Sequence, residues 1–327
     1  MKKYIKKLYQ IKNMKEKVVI AVLWKVLLVL SFPIVLNMLE LSNDDPVDNN
    51  EQGTIEKKNI EEPTFVANFS NLSYIQNLND IMAHIFYVDQ TAYVTIDDFP
   101  IQYLAELDLA INLRGNLPRV LITHTHANEY FIDSEEGNVE HSIVGVGRYL
   151  ANILSGVHGV SVVHDVGVYD MKDGEIHRTG SYELVEQGIR HILELHPTID
   201  VIIDLHRDAA PEGVHLVTYL DDKPTAKIMF FNGITRRNID GAPHELYHLF
   251  NPYLQENLAL SLQMFLTANE RYEGLARKNY IKAYRYSLHI LPRSMLVEVG
   301  ANTNTVQEAK NAMYPLANII MEVLQEK

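Results

Sequence analysis

Val201-Ile202-Ile203-Asp204-Leu205 runs directly into His206-Arg207-Asp208, and this stretch decides the fold. Residues 201–205 are almost wholly apolar and have no polar face, which suits a strand buried on both sides. The same texture recurs at residues 119–123 (RVLIT), bounded by Pro118, at residues 160–163, and at residues 295–299 (MLVEV). Helical spacing fills the gaps. Ile143, Val146, Leu150 and Ile153 recur every three or four positions, and residues 181–195 open on Ser181, place Leu184, Gly188 and Ile192 on one face, and stop before Pro197. Thr305-Val306-Gln307-Glu308 supplies a capping box for a last helix. Residues 64–117 are less legible and should hold at least one helix and a strand. Alternating apolar strands and helices predict an α/β fold, a largely parallel open sheet with helices on both faces. In such sheets ligands bind beyond the carboxyl ends of the strands.

The chain has 327 residues, 47% hydrophobic and 22% charged, enough for one sizeable domain and accessory segments. A net charge of −13 argues against a nucleic-acid partner, which needs a basic face. With 0 cysteines, thiolate zinc sites, disulfides and a cysteine nucleophile are excluded. Seven lysines among residues 1–17 precede a long apolar run over residues 18–39, interrupted by Lys25. The run matches the ~20 residues that span a bilayer as a helix. Lysines before it and acids after it orient the N-terminus to the cytoplasm and the remainder outside the cell membrane. A cleaved signal peptide is the rival reading, but no small-residue cleavage site follows. Residues 40–66 are acidic and poor in large apolar side chains, as a flexible linker would be. The expected organisation is a basic N-terminus (1–17), one transmembrane anchor (18–39), a linker (40–66) and a single domain (67–327).

Three expected strands carry polar residues where a ligand would sit. The first runs into His124-Thr125-His126-Ala127-Asn128-Glu129, the third into His206-Arg207-Asp208, and the last holds Glu298. A catalytic zinc site uses three His or carboxylate ligands and leaves a fourth position for water. His126 and Glu129 have the His-x-x-Glu spacing and His206 can complete the set, although either His124 or His126 could face the metal. With 14 histidines in the chain, a single His at a strand end is more often merely hydrogen-bonded. His158, His164, His191 and His196 receive that plainer reading. Asp204 is placed to orient a ligating imidazole.

These residues resemble a known family. LITHTHANEY (121–130), VIIDLHRDA (201–209) and MLVEVGANTNTVQEA (295–309) are similar, in order and spacing, to the blocks of stage II sporulation protein P. That family comprises N-acetylmuramoyl-L-alanine amidases of sporulation engulfment, and the resemblance covers residue 118 to the C-terminus. A more distant likeness runs to the phosphorylase/hydrolase-like sheet of zinc carboxypeptidases.

The resemblance implies a zinc-dependent peptidoglycan amidase cleaving the bond between the lactyl group of muramic acid and L-alanine. His126, Glu129 and His206 would be ligands and Glu298 the general base, with His124 as alternative ligand or supporting residue. Arg207 is either an oxyanion donor or a structural partner of Asp208 or Asp204. Asn302 and Arg293 are candidate substrate contacts, although Asn302 reads equally as part of a turn and Arg293 as a surface residue. The aromatics of residues 280–286 read as sheet packing. Partners implied are peptidoglycan and the sporulation proteins D and M. Two departures stand out: Ala127 and Asn128 replace small hydroxyl residues of the first block, and Ala301-Asn302 replaces Gly-His in the last. They leave room for a carboxypeptidase-like or endopeptidase activity on stem peptides, or for a non-catalytic envelope scaffold.

Overall fold

A computed structural model describes residues 66–326 of the chain, apart from residue 136. The basic N-terminus, the expected anchor and all but the last residue of the linker lie outside the described residues. Among the described residues no helix is long and apolar enough to cross a membrane.

The apolar runs become a seven-stranded sheet. Its strands are β1 (Phe86–Val88), β2 (Val120–Thr123), β3 (Val162–His164), β4 (Val201–Asp208), β5 (Ile228–Gly233), β6 (Asn279–Lys282) and β7 (Arg293–Ala301), in the order β1-β6-β5-β7-β4-β2-β3. Every residue of β2 and β5 is buried, as are the first six of β4. The expected parallel sheet is found in two blocks. β7, β4, β2 and β3 run together, β1, β6 and β5 run together, and the blocks meet in an antiparallel seam between β5 and β7. β5 was not anticipated. It follows β4 through the hairpin Val217–Leu220/Lys223–Ala226 and not through a crossover helix, so nothing holds it to β4's direction.

Six helices accompany the sheet: α1 (Leu78–His84), α2 (Ile101–Glu106), α3 (Ile143–Gly156), α4 (Ser181–Leu195), α5 (Leu254–Arg271) and α6 (Val306–Leu324). Side chains alternate across each strand. Val120, Ile122, Ile203, Leu205 and Val297 join the main core with α3, α5 and α6. Leu121 and Ile202 face the other way and pack on Val185 and Ile189 of α4. Burying a side chain such as Ile189 contributes roughly 1.5–3 kcal/mol. α4 shows its buried stripe one position on from the expected one, since Leu184 is exposed while Val185 and Ile189 are inside. Its bounds are the expected ones, Ser181 to Leu195, with Gly180, at φ +80°, in the cap position. α6 begins as expected, with Thr305 and Glu308 forming a capping box. The aromatic stretch forms only a short strand, β6, and Tyr280 and Tyr286 pack beside Phe231.

Candidate metal centre

β2, β4 and β7 are neighbours in one parallel block, so their carboxyl ends reach the same rim. Register pairs Thr123 with Asp204 and His206 with Glu298. Alternation puts Asp204, His206 and Glu298 on the face covered by α4. The loop after β2 folds over this rim and brings His126 and Glu129 onto it.

His126, Glu129 and His206 each offer one ligand atom, and those atoms lie within 4.8 Å of one another. His126 Nδ1 is 3.4 Å from Glu129 Oε1, and His206 Nδ1 is 3.5 Å from Glu129 Oε2. The two imidazoles stand at 89° with centroids 5.0 Å apart. Glu129 and His206 are buried, and His126 is only slightly exposed. Glu129 also accepts the backbone N–H of Arg207 at 2.9 Å, and the half-exposed Arg178 guanidinium lies 3.7 Å from its Oε1.

Burial opposes charge on Glu129, His206 and Asp204, yet these three hold one another charged. For Glu129, His206 and His126 outweigh the loss of solvent and hold the carboxyl well below the usual range. For His206, Asp204 and Glu129 outweigh burial and raise the imidazole well above its ordinary value. Asp204 is held low against its own burial by His206 and Thr125. Its Oδ1 lies 2.9 Å from His206 Nε2, and Thr125 donates its backbone N–H and its hydroxyl to the two carboxylate oxygens at 2.9 and 2.6 Å. Asp204 therefore stands behind His206, on the side away from Glu129.

Glu298 is different. The residue is partly exposed, but its Oε2 is shut off from solvent and has no hydrogen-bond partner. Burial first, then the charges of Glu129 and Asp208, push its carboxyl up to about 8, against the pull of His206 and Arg207. An unpartnered acid beside two imidazoles and a carboxylate is a donor set that suits a zinc-type cation, with Glu298 free to handle a proton.

Other expected residues fall elsewhere. His124 continues the alternation of Val120 and Ile122 and lies beneath α3. Its Nδ1 is 2.9 Å from the Leu205 carbonyl and its Nε2 is 2.9 Å from His164 Nε2. With both ring nitrogens engaged it stands apart from the His126/Glu129/His206 cluster. Gly147 leaves space for it, since a Cβ there would sit 2.5 Å from His124 Cε1. The Arg207 guanidinium donates to the carbonyls of Tyr130 and Asp208 and so ties the loop, while its charge still reaches Glu298. Arg293 begins β7, roughly 16 Å along the strand from Glu298, and donates to the Leu109 carbonyl. Asn302 accepts from the Ala210 N–H at 2.7 Å and braces a turn.

Several contributors were not anticipated. Asp170 is fully buried and receives the Asn128 backbone N–H and side-chain amide at 3.2 and 2.8 Å, clamping the loop between its two ligand residues. Tyr182 places its ring 5.7 Å from His126. Burial, with Asp204, Tyr286, Glu298 and Glu129 nearby, lifts its phenol well above the ordinary value. Ser181 Oγ lies 3.2 Å from His126 Nε2. Asp170 lies in the segment leading into α4, and Ser181 and Tyr182 lie in the first turn of α4; neither stretch carries a recognisable motif.

An open α/β sheet carrying a His/Glu/His cluster able to hold a metal ion defines the class as an α/β protein with a candidate metal centre. The stage II sporulation protein P (SpoIIP) profile matches residues 36–321, and the chain belongs to that family. No curated protein sequence gives a significant match. Among solved structures, the chain is similar to an N-acetylmuramoyl-L-alanine amidase from Clostridium difficile 630, at 16% identity over 64% of this chain and 95% of that one, with a TM-score of 0.37. It is also similar to the CwlD amidase of Clostridioides difficile, solved in complex with the GerS lipoprotein, at 12% identity, 63% and 98% coverage and a TM-score of 0.39. The Ami1 amidase of Mycobacterium abscessus gives 14% identity, 63% and 97% coverage and a TM-score of 0.33.

Proposed function

We propose that the chain is a zinc-dependent N-acetylmuramoyl-L-alanine amidase of the sporulating cell envelope. Residues 18–39 anchor it in the cell membrane, residues 40–66 tether it, and residues 67–327 hydrolyse the lactyl–L-Ala amide of peptidoglycan outside. Family membership supports the substrate. The observation that carries the chemistry is Glu298, whose buried, unpartnered Oε2 stands beside the His126/Glu129/His206 cluster.

His126 and His206 would hold the ion through their Nδ1 atoms and Glu129 through its carboxylate. Bound there, zinc supplies Lewis acidity, which brings the pKa of water toward ~7 and polarises the amide carbonyl. Glu298 takes a proton from the attacking water at Oε2 and returns it to the leaving amine, general acid–base work of typically ~10²–10⁴-fold. Asp204 holds the far nitrogen of His206 in place. The Arg178 guanidinium at the rim is the cation positioned to meet negative charge on the carbonyl oxygen.

Digestion of purified cell walls tests the reading. The wild type should release whole stem peptides bearing a free L-Ala amine, and Glu298→Gln and His206→Ala should not. Single amino acids as products would favour the carboxypeptidase-like activity instead. Undiminished release by both variants would refute the mechanism, and a wild type without affinity for zinc would favour a scaffold.

A further inference from the structure

A ligating imidazole is useful only when the nitrogen facing the metal carries its lone pair, so something must hold the proton on the other nitrogen. For His206 that group is Asp204. For His126 no carboxylate fills the role. Its Nε2 meets the Ser181 hydroxyl at 3.2 Å.

Ser181 is fully buried at the first position of α4. Its hydroxyl does not cap the helix, because Gly180 occupies the cap position and no side-chain cap bond forms. The Ser181 Oγ is instead 2.7 Å from the Arg178 carbonyl. A carbonyl has no proton to give, so this contact uses the hydroxyl's only hydrogen. What remains toward His126 is a lone pair, which can only accept. With a cation held at the cluster, the ring proton would therefore sit on Nε2, and Nδ1 would turn its lone pair to the ion beside Glu129.

We propose that Ser181 is a positioning residue that fixes His126 in the Nε2–H tautomer and so prepares its Nδ1 for the metal. The proposal rests on the metal-centre reading above. The two histidines are then held alike by different chemistry, one by a carboxylate and one by a serine whose own direction is set by a main-chain carbonyl. Because Arg178 supplies that carbonyl and also reaches Glu129, the turn before α4 orders two of the three ligand residues.

The test uses the full chain in detergent, with zinc affinity measured by competition against a chelator. Ser181→Ala should bind zinc about 10–100-fold more weakly, the range for groups that support a ligand. Ser181→Thr, which keeps the hydroxyl, should recover most of the loss. Ser155→Ala serves as control: it removes an exposed hydroxyl that donates to the Ala151 carbonyl in the last turn of α3, and should leave zinc affinity unchanged. In the zinc-loaded wild type, the ¹⁵N shifts of His126 should report Nε2–H, a readout independent of any variant. Zinc binding by Ser181→Ala as tight as the wild type's, or an Nδ1–H tautomer, would overturn the proposal while leaving the metal centre standing. Absence of zinc binding by the wild type would instead remove the centre, and the role of Ser181 with it.

Discussion

Replacing Glu298 by Gln should stabilise the metal-free protein while removing its hydrolytic activity. The carboxyl is raised to about 8 in the fold from 4.5 as an ordinary glutamate. Between those values the native state keeps a proton that the unfolded chain releases, so stability falls as pH rises through this window. The slope is about 1.36 kcal/mol per pH unit, which puts the penalty at pH 7 on the order of 3 kcal/mol. Glutamine matches the neutral acid in size and carries no such penalty. Denaturant unfolding of a fragment starting at residue 67, in the presence of a chelator, should therefore find the variant more stable by about 2–3 kcal/mol at pH 7. The two proteins should converge near pH 4.5. A difference that is absent at pH 7, or that does not change with pH, would refute the claim that burial and neighbouring carboxylates strain this acid.

Asp204→Asn should weaken zinc binding about 10–100-fold without unfolding the protein, which chelator competition checks. Gly147→Ala should cost about 1–3 kcal/mol, because the added methyl would lie 2.5 Å from His124 Cε1, and a shifted denaturant midpoint would report it. Acid should destabilise the fold through His124, which burial lowers from 6.5 to about 4. The unfolded chain takes up that proton first, so stability should fall between about pH 6.5 and 4 by roughly 3 kcal/mol. The loss should shrink in His124→Gln, and an unchanged pH profile in that variant would count against the assignment.

Much of this was legible because buried strands announce themselves. Residues 201–205 and 295–299 could hardly be anything else, and the polar residues on and after them, Asp204, His206 and Glu298, share a face because register and alternation leave no choice. The same alternation, carried one step past β2, separates His124 from the cluster. Read as spacing alone, His-Thr-His leaves the two histidines equivalent. β5 escaped notice because its direction depends on a hairpin connection and not on its composition. Arg178 and Ser181 escaped because their roles arise from tertiary contact: a serine ahead of a helix ordinarily signals a cap, and only the observed Gly180 conformation frees its hydroxyl. Arg207 shows the same limit: its place next to His206 in sequence does not reveal that its guanidinium ties the carbonyls of Tyr130 and Asp208.

The antiparallel seam has a consequence for how the chain is made. β7 pairs with β4 on one side and β5 on the other, yet it follows every other strand of the sheet along the chain. Until it leaves the ribosome, the nascent chain holds two part-built sheets with bare inner edges, each a template for unwanted pairing with other chains. One nine-residue strand closes both edges. That strand also carries Glu298, so the acid proposed to move protons reaches its place only as the last seam shuts. A copy lacking β7 would have no complete centre, a safeguard that suits the wall-cutting enzyme proposed above.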